Sequence, residues 1–247
     1  MDPLTITAAS GLRARMESLD MLANNIANSE TGGYKTDREF YNLFASEEAT
    51  GADGGVPSTL PVIEKNYTDF SAGVIRPTTN PLDFAIQGKG FFTVNSPAGV
   101  AYTRNGSFQI SSAGTLVNAD GNAVLDNVGR TITLDPSLPI SVSADGTIMQ
   151  AGTSAAQIAL VDFASPGDLS KLGNTMFRPS DPKILPTAPP SGSEIQQGKL
   201  EGSNVSSTEA TVRLVSVMRQ FEMMQKAVNI AKEMNDKTIQ EVAKVGA

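Results

Sequence analysis

The chain contains no cysteine, no histidine and no tryptophan. Without thiol or imidazole it cannot form a disulfide, a Cys/His zinc site, a cysteine nucleophile or a histidine-based triad or acid–base pair. Most enzyme classes leave with those groups, and no cofactor or metal is expected. Basic side chains are also scarce: 19 lysines and arginines face 26 aspartates and glutamates, a net charge of −7. No basic surplus remains to neutralise phosphates, so nucleic acid is not an expected partner. No apolar run approaches the ~18 residues of a membrane span; Ile158-Ala159-Leu160-Val161 has the length of a strand. Met1-Asp2-Pro3-Leu4-Thr5 carries no basic region followed by an apolar stretch, so no cleavable secretory signal is expected. What is present is enough apolar residue, 40% of the chain, for a sizeable core in one or two domains.

Glycine and proline are unevenly spread, and their gaps mark the helices. Leu4 to Asn28 holds a single glycine and no proline. Within it Ala9, Leu12, Met16, Leu19, Ala23 and Ile26 recur at intervals of 3, 4, 3, 4 and 3, an apolar seam suited to packing on another helix. Thr31-Gly32-Gly33 should end that helix. Asn204 to Val245 has neither glycine nor proline. Leu214, Phe221, Val228, Asn235 and Val242 recur there every seven residues, interleaved with Val217, Met224, Ala231, Thr238 and Val245. The spacing predicts a helix from Ser207 to Lys244, about 57 Å long at ~1.5 Å per residue. Ser206 can cap it, with Glu209 three residues on. A small domain cannot cover so long a helix, so the seam should meet the N-terminal helix, another chain, or both. Asn24, Asn25 and Asn28 are weak helix formers. They read either as helix terminators or as a polar ladder that fixes register between neighbouring chains.

The middle of the chain is β in pattern. Short runs such as Phe91-Phe92-Thr93-Val94, Ser107-Phe108-Gln109-Ile110 and Thr131-Ile132-Thr133-Leu134 are punctuated by Asn105-Gly106, Ala113-Gly114, Asp120-Gly121 and Asp145-Gly146. Asn-Gly and Asp-Gly favour type I′ hairpins, and this spacing argues for an antiparallel sandwich or barrel. The expected fold class is therefore α+β: long N- and C-terminal helices form a discontinuous coiled-coil-like domain around a central antiparallel β-barrel or sandwich. Residues 1–44 and 202–247 make the helical domain, 45–60 a mobile loop, and 61–201 the β-rich domain. A proline-rich return segment occupies 179–198.

Candidate chemistry is thin. Gly88-Lys89-Gly90 is followed by Phe91-Phe92-Thr93 where a dinucleotide fingerprint needs a third glycine and a helix, so a turn is expected. Paired aspartates could in principle serve a glycan-binding or hydrolase module. Asp120, Asp126, Asp135 and Asp145 mostly sit in turn contexts, however, where aspartate stabilises the backbone. Arg104, in Tyr102-Thr103-Arg104-Asn105-Gly106, reads as a solvated hairpin residue.

Four segments carry a resemblance. Ala23-Asn24-Asn25-Ile26-Ala27-Asn28-Ser29-Glu30-Thr31-Gly32-Gly33-Tyr34-Lys35 is similar to the N-terminal signature of the bacterial flagellar axial proteins, the rod, hook and hook-associated components. Asn80 to Phe92 resembles the segment opening their β domain, Tyr102 to Phe108 their hairpin, and Gly198-Lys199-Leu200-Glu201-Gly202-Ser203-Asn204-Val205 their approach to the last helix. Length and Arg219-Gln220-Phe221-Glu222-Met223 resemble proximal-rod members more than distal-rod ones. The resemblance implies a structural subunit, not an enzyme. By the same likeness, copies should stack with each other and with other rod and hook subunits into the periplasm-crossing drive shaft of the basal body, after export by the flagellar type III apparatus. Subunit packing then falls to Leu12, Met16, Leu19, Ala23, Ile26, Leu214, Val217, Phe221, Met224, Val228, Ala231, Val242 and Val245. The motif residues are Asn24, Asn25, Asn28, Thr31, Gly33, Tyr34, Lys35, Leu200, Glu201, Ser203, Asn204 and Val205.

Overall fold

The computed structural model describes the backbone of residues 3–45, 59–173 and 175–245, and most side chains between 9 and 237 outside 40–66. The protein is α+β and divides into two compact units. One comprises Met1–Ala27, Asp37–Tyr67 and Ser206–Ala247; the other comprises Asn28–Thr36 and Thr68–Val205. Most of the loop expected at 45–60 lies outside the described residues.

The first unit holds helix α1 (Pro3–Ala27), helix α2 (Ser207–Val245) and a two-stranded sheet of Asp37–Ala45 and Thr59–Thr68. The α2 start follows the expected cap: Glu209 N–H donates to Ser206 Oγ at 3.4 Å and Ala210 N–H to the Ser206 carbonyl at 2.9 Å. The buried line of α1 is Gly11, Ala14, Ser18, Met21, Leu22 and Asn25. Its first three members are small, and small side chains let a neighbouring helix approach closely. At Gly11 even a Cβ would stand 2.9 Å from the Met224 methyl of α2.

The second unit is antiparallel throughout its paired strands. Its largest sheet has eight strands, in the spatial order 169–173, 176–179, 99–103, 91–96, 123–124, 116–118 and 108–110, with Leu160–Val161 also pairing with the 91–96 strand. Of the expected barrel or sandwich, the barrel does not form among the described residues. The outer strands of that path, Leu169–Gly173 and Phe108–Ile110, do not pair with one another, so the sheet is open. Closure requires a consistent stagger carried through every ladder. Strands of two or three residues, such as Ala123–Val124 and Leu116–Asn118, supply too few ladder bonds to carry one. A three-stranded sheet (140–142, 147–150, 153–157) and two-stranded pairs of 84–87 with 194–197 and 75–77 with 199–201 complete the unit.

Successive side chains in a strand point to opposite faces, and here both faces are buried. Phe92 joins Phe84, Phe108, Leu116, Ile132 and Ile148 in one core, while its neighbour Phe91 joins Tyr102, Phe163, Leu169 and Phe177 in another. The turn chemistry also differs from expectation. Gly114, Gly121 and Gly146 do lie between paired strands with positive φ, yet Ala113, Asp120 and Asp145 do not share it. Each turn is therefore closed by a single left-handed glycine and is not type I′. Asn105-Gly106 is no hairpin at all, since the strands flanking it do not pair with each other. Gly88 and Gly90, with φ of 99° and 125°, form the expected turn.

Candidate functional site

The motif residues from the two ends of the chain meet inside the second unit. Chain connectivity makes this notable: Asn28–Thr36 runs straight out of α1, and Lys199–Val205 runs straight into α2. The Gly33 N–H donates to the Glu201 carbonyl at 2.8 Å. Gly33 has φ +68°, and a Cβ there would collide with the Asn105 backbone nitrogen, so only glycine lets this turn lie against the 102–106 segment. The Thr36 N–H and hydroxyl both donate to Asn204 Oδ1, at 2.8 and 2.7 Å. The Asn204 amide nitrogen in turn donates to the carbonyls of Asp69 at 2.8 Å and Ser71 at 3.1 Å. One asparagine side chain thus ties its own segment to two others. Lys171 completes the collar. Its ammonium donates to the Lys35 carbonyl at 2.6 Å and sits 4.2 Å from the centroid of the buried Tyr34 ring.

At the centre is a cluster of charges. Lys35 and Glu201 side chains are both 0% exposed and Arg104 is 5% exposed. Lys35 Nζ donates to Glu201 Oε1 at 2.6 Å and to the Ser71 carbonyl at 2.7 Å. Arg104 donates through Nη1 to Glu201 Oε2 at 3.2 Å and through Nη2 to the Gly88 carbonyl at 2.9 Å. Its guanidinium carbon also lies 5.4 Å from the Phe91 ring centroid. The Gly73 N–H adds a third donor to the carboxylate at 2.9 Å. Burial pushes the Lys35 ammonium and the Arg104 guanidinium below their ordinary pKa ranges. Glu201 pulls both the other way, as do Asp69 on Lys35 and Asp162 on Arg104. Arg104 is therefore not the solvated hairpin residue its local context suggests. The strands on either side of it form no hairpin, and its partners come from residues 88 and 201.

The remaining motif residues do different work. Asn25 is buried on α1, and its amide pairs reciprocally with the main chain of Asp37: Nδ2 donates to the carbonyl at 2.9 Å, and Oδ1 accepts from the N–H at 3.1 Å. That engages Asn25 within its own chain. Asn24 is exposed, and half-buried Asn28 accepts from the Thr31 hydroxyl at 3.3 Å. Leu200, Ser203 and Val205 are half-buried beside Glu201. On α2, Val217 is buried and Leu214, Phe221, Met224 and Val228 are half-buried, while the side chains of Ala231, Val242 and Val245 lie outside those described. On α1, Leu12, Leu19 and Ile26 are half-buried, and Met16 and Ala23 are exposed.

The aspartates act as turn anchors. Asp126 accepts from the N–H groups of Arg130 and Val128 at 2.7 and 2.9 Å; Asp135 accepts from the Ser137 hydroxyl at 2.6 Å, and Asp145 from the Thr147 hydroxyl at 2.8 Å. These hydrogen bonds, led by the Arg130 amide, the Ser137 hydroxyl and the Thr147 hydroxyl, hold each carboxyl below the ordinary value of 3.8. A carboxyl depressed on folding stabilises the protein fully above its unfolded value and loses that contribution as pH falls through the folded one. Acid titrations of the chain and its Asp126→Asn/Asp135→Asn/Asp145→Asn variant should therefore diverge above pH 3.8 and converge below it. Parallel curves would count against the anchoring role.

Residues 7–35 match the family model described as flagella basal body rod protein. Residues 85–150 match the flagellar hook protein FlgE/F/G D1 domain, and 196–241 the flagellar basal body rod FlgEFG protein C-terminal model. The chain is 32% identical to the flagellar basal-body rod protein FlgF of Caulobacter vibrioides, over 99% of this chain and all of that one. It is also 32% identical to the flagellar basal-body rod protein FlgG of Borreliella burgdorferi, over 92% of this chain and 94% of the relative. The junction residues Lys35, Glu201 and Asn204 fall inside the two terminal matched regions, and Arg104 inside the central one. The chain belongs to the flagellar basal-body rod protein family.

Proposed function

We propose that this rod-family subunit polymerises helically through its terminal helices, as a coiled-coil-like inner tube of the shaft that crosses the periplasm and transmits torque. Export by the flagellar type III apparatus precedes assembly. The single observation that supports this most is the apolar surface left uncovered on α1 and α2. Met16 is 54% exposed, Val212 68%, Met223 62%, Ile230 58% and Met234 65%. Exposed apolar residues in this number along two helices are the surface that association with further copies would remove from water. Heterologous contacts that do not close generate a filament. No described helix is long and apolar enough to cross a membrane.

Met16→Asp is the test. An exposed position away from the buried line should change chain stability by less than about 0.5 kcal/mol. Incorporation into basal bodies should be lost while export of the variant continues. Normal swimming and normal basal-body content of Met16→Asp would overturn the reading. We place the subunit in the proximal part of the rod, on the support of its length and of Phe221-Glu222. Labelling the assembled subunit in the same basal bodies gives its distance from the inner end, and a distal label would reject that placement.

A further inference from the structure

The buried charge cluster draws its members from both ends of the chain and from the centre. Lys35 follows α1, Glu201 precedes α2, and Arg104 belongs to the β framework. Two cations thus share one carboxylate in a site with no solvent access. Remove the segment carrying Glu201, and the docked N-terminal segment would hold Lys35 beside Arg104 with no carboxylate in hydrogen-bond reach of either. Remove the segment carrying Lys35, and Glu201 keeps Arg104, but Gly33 and Thr36 no longer donate to the Glu201 carbonyl and the Asn204 amide. A buried charge stripped of its partner is strongly unfavourable. Each terminal segment therefore completes the other's binding site.

We propose that Glu201 is a latch that makes the two terminal segments dock on the β framework together, so that the roots of α1 and α2 are either both fixed or both free. The device is cooperative because it works through charge balance. When the Glu201 carboxylate departs, Lys35 and Arg104 lose their shared acceptor together and keep only the pull of Asp69 and Asp162. It is independent of the assembly reading above, since every residue involved lies within one unit of one chain.

Native-state hydrogen exchange on the full chain tests this. The reporters are the amides of Gly33 and Thr36 on the N-terminal side, and of Gly73 and Gly202, which donate to Glu201 Oε1 and to the Val74 carbonyl. In the unsubstituted chain, under graded denaturant below global unfolding, these four should merge into one isotherm, distinct from the core amides of Leu116 and Ile158. Separate isotherms for the N-terminal and C-terminal pairs would overturn the latch. Glu201→Gln should speed exchange of all four by at least about 100-fold, leaving Leu116 and Ile158 unchanged. Loss confined to Gly73 would refute it. Adding Lys35→Met to Glu201→Gln removes one of the two stranded cations and should restore part of the lost protection. A purely steric role for these side chains gives the opposite result, further loss. If Glu201→Gln does not fold, the isotherms of the unsubstituted chain still decide the matter.

Discussion

Gly106→Ala is expected to destabilise the β-rich unit by at least about 3 kcal/mol, enough to leave it largely unfolded if its stability is modest. Gly106 has no need of positive φ; its requirement is space. A Cβ there would overlap the Phe84 carbonyl oxygen, and it would stand 2.8 Å from the carbonyl carbon and 3.1 Å from the Phe92 ring. Those are backbone atoms and a packed aromatic, and neither can swing aside. Phe84 N–H donates to the Gly106 carbonyl at 3.0 Å, so separating the two segments also breaks this bond. The strain would fall on the Phe84, Phe92 and Phe108 cluster, whose rings pack at centroid distances of 5.2 Å (Phe92–Phe108) and 5.9 Å (Phe84–Phe108). The comparison is Gly121→Ala, where φ is 82° but nothing lies within 4 Å of the added carbon. That variant carries only left-handed strain of roughly 1–2 kcal/mol. Denaturant midpoints for the two variants measure the difference. Equal midpoints would mean that the close approach is not a constraint.

The second large effect is at Arg104. Arg104→Met should cost about 3–5 kcal/mol, because it removes one partner from a buried ion cluster. Gly88 loses the donor to its carbonyl, Glu201 keeps only Lys35 and the Gly73 amide, and Phe91 loses the cation near its ring. Arg104→Lys should recover little of this. The guanidinium reaches the Glu201 carboxylate and the Gly88 carbonyl through two nitrogens held in one plane, and a single ammonium cannot reproduce that fork. Equilibrium unfolding of the three proteins, with unchanged denaturant slope, separates the cases. A loss below about 1 kcal/mol for Arg104→Met would place the residue among ordinary surface pairs.

The two long helices were readable from residue spacing, and for a physical reason. A helix is held by bonds four residues apart, so its extent depends on nearby residues, on a cap such as Ser206 and on the absence of glycine and proline. The expected start of α2 at Ser207 and end at Lys244 agree with Ser207–Val245 to within one residue. The line that α1 buries was not readable in the same way. Apolarity points to Leu12, Met16 and Leu19, whereas the buried line holds the small residues Gly11, Ala14 and Ser18, with Met224 of α2 against Gly11. Met16 stays exposed.

The turn aspartates were legible too, since an Asp accepting from the residues just after it is a local event. The junction was not. The four motifs identified the family by their likeness to known segments, but nothing in their spacing says that Lys35 reaches Glu201 across 166 positions, or Arg104 across 97. Residue order is sufficient for structure closed by neighbours: helix lengths, caps, glycine turns, and the alternation that puts Phe91 and Phe92 on opposite faces. The folded arrangement alone turns Arg104 inward and leaves the main sheet open. It also joins the two ends of the chain on one carboxylate, because the partners of a buried charge are set by which distant segments close around it, and closure of that kind leaves no local pattern to read.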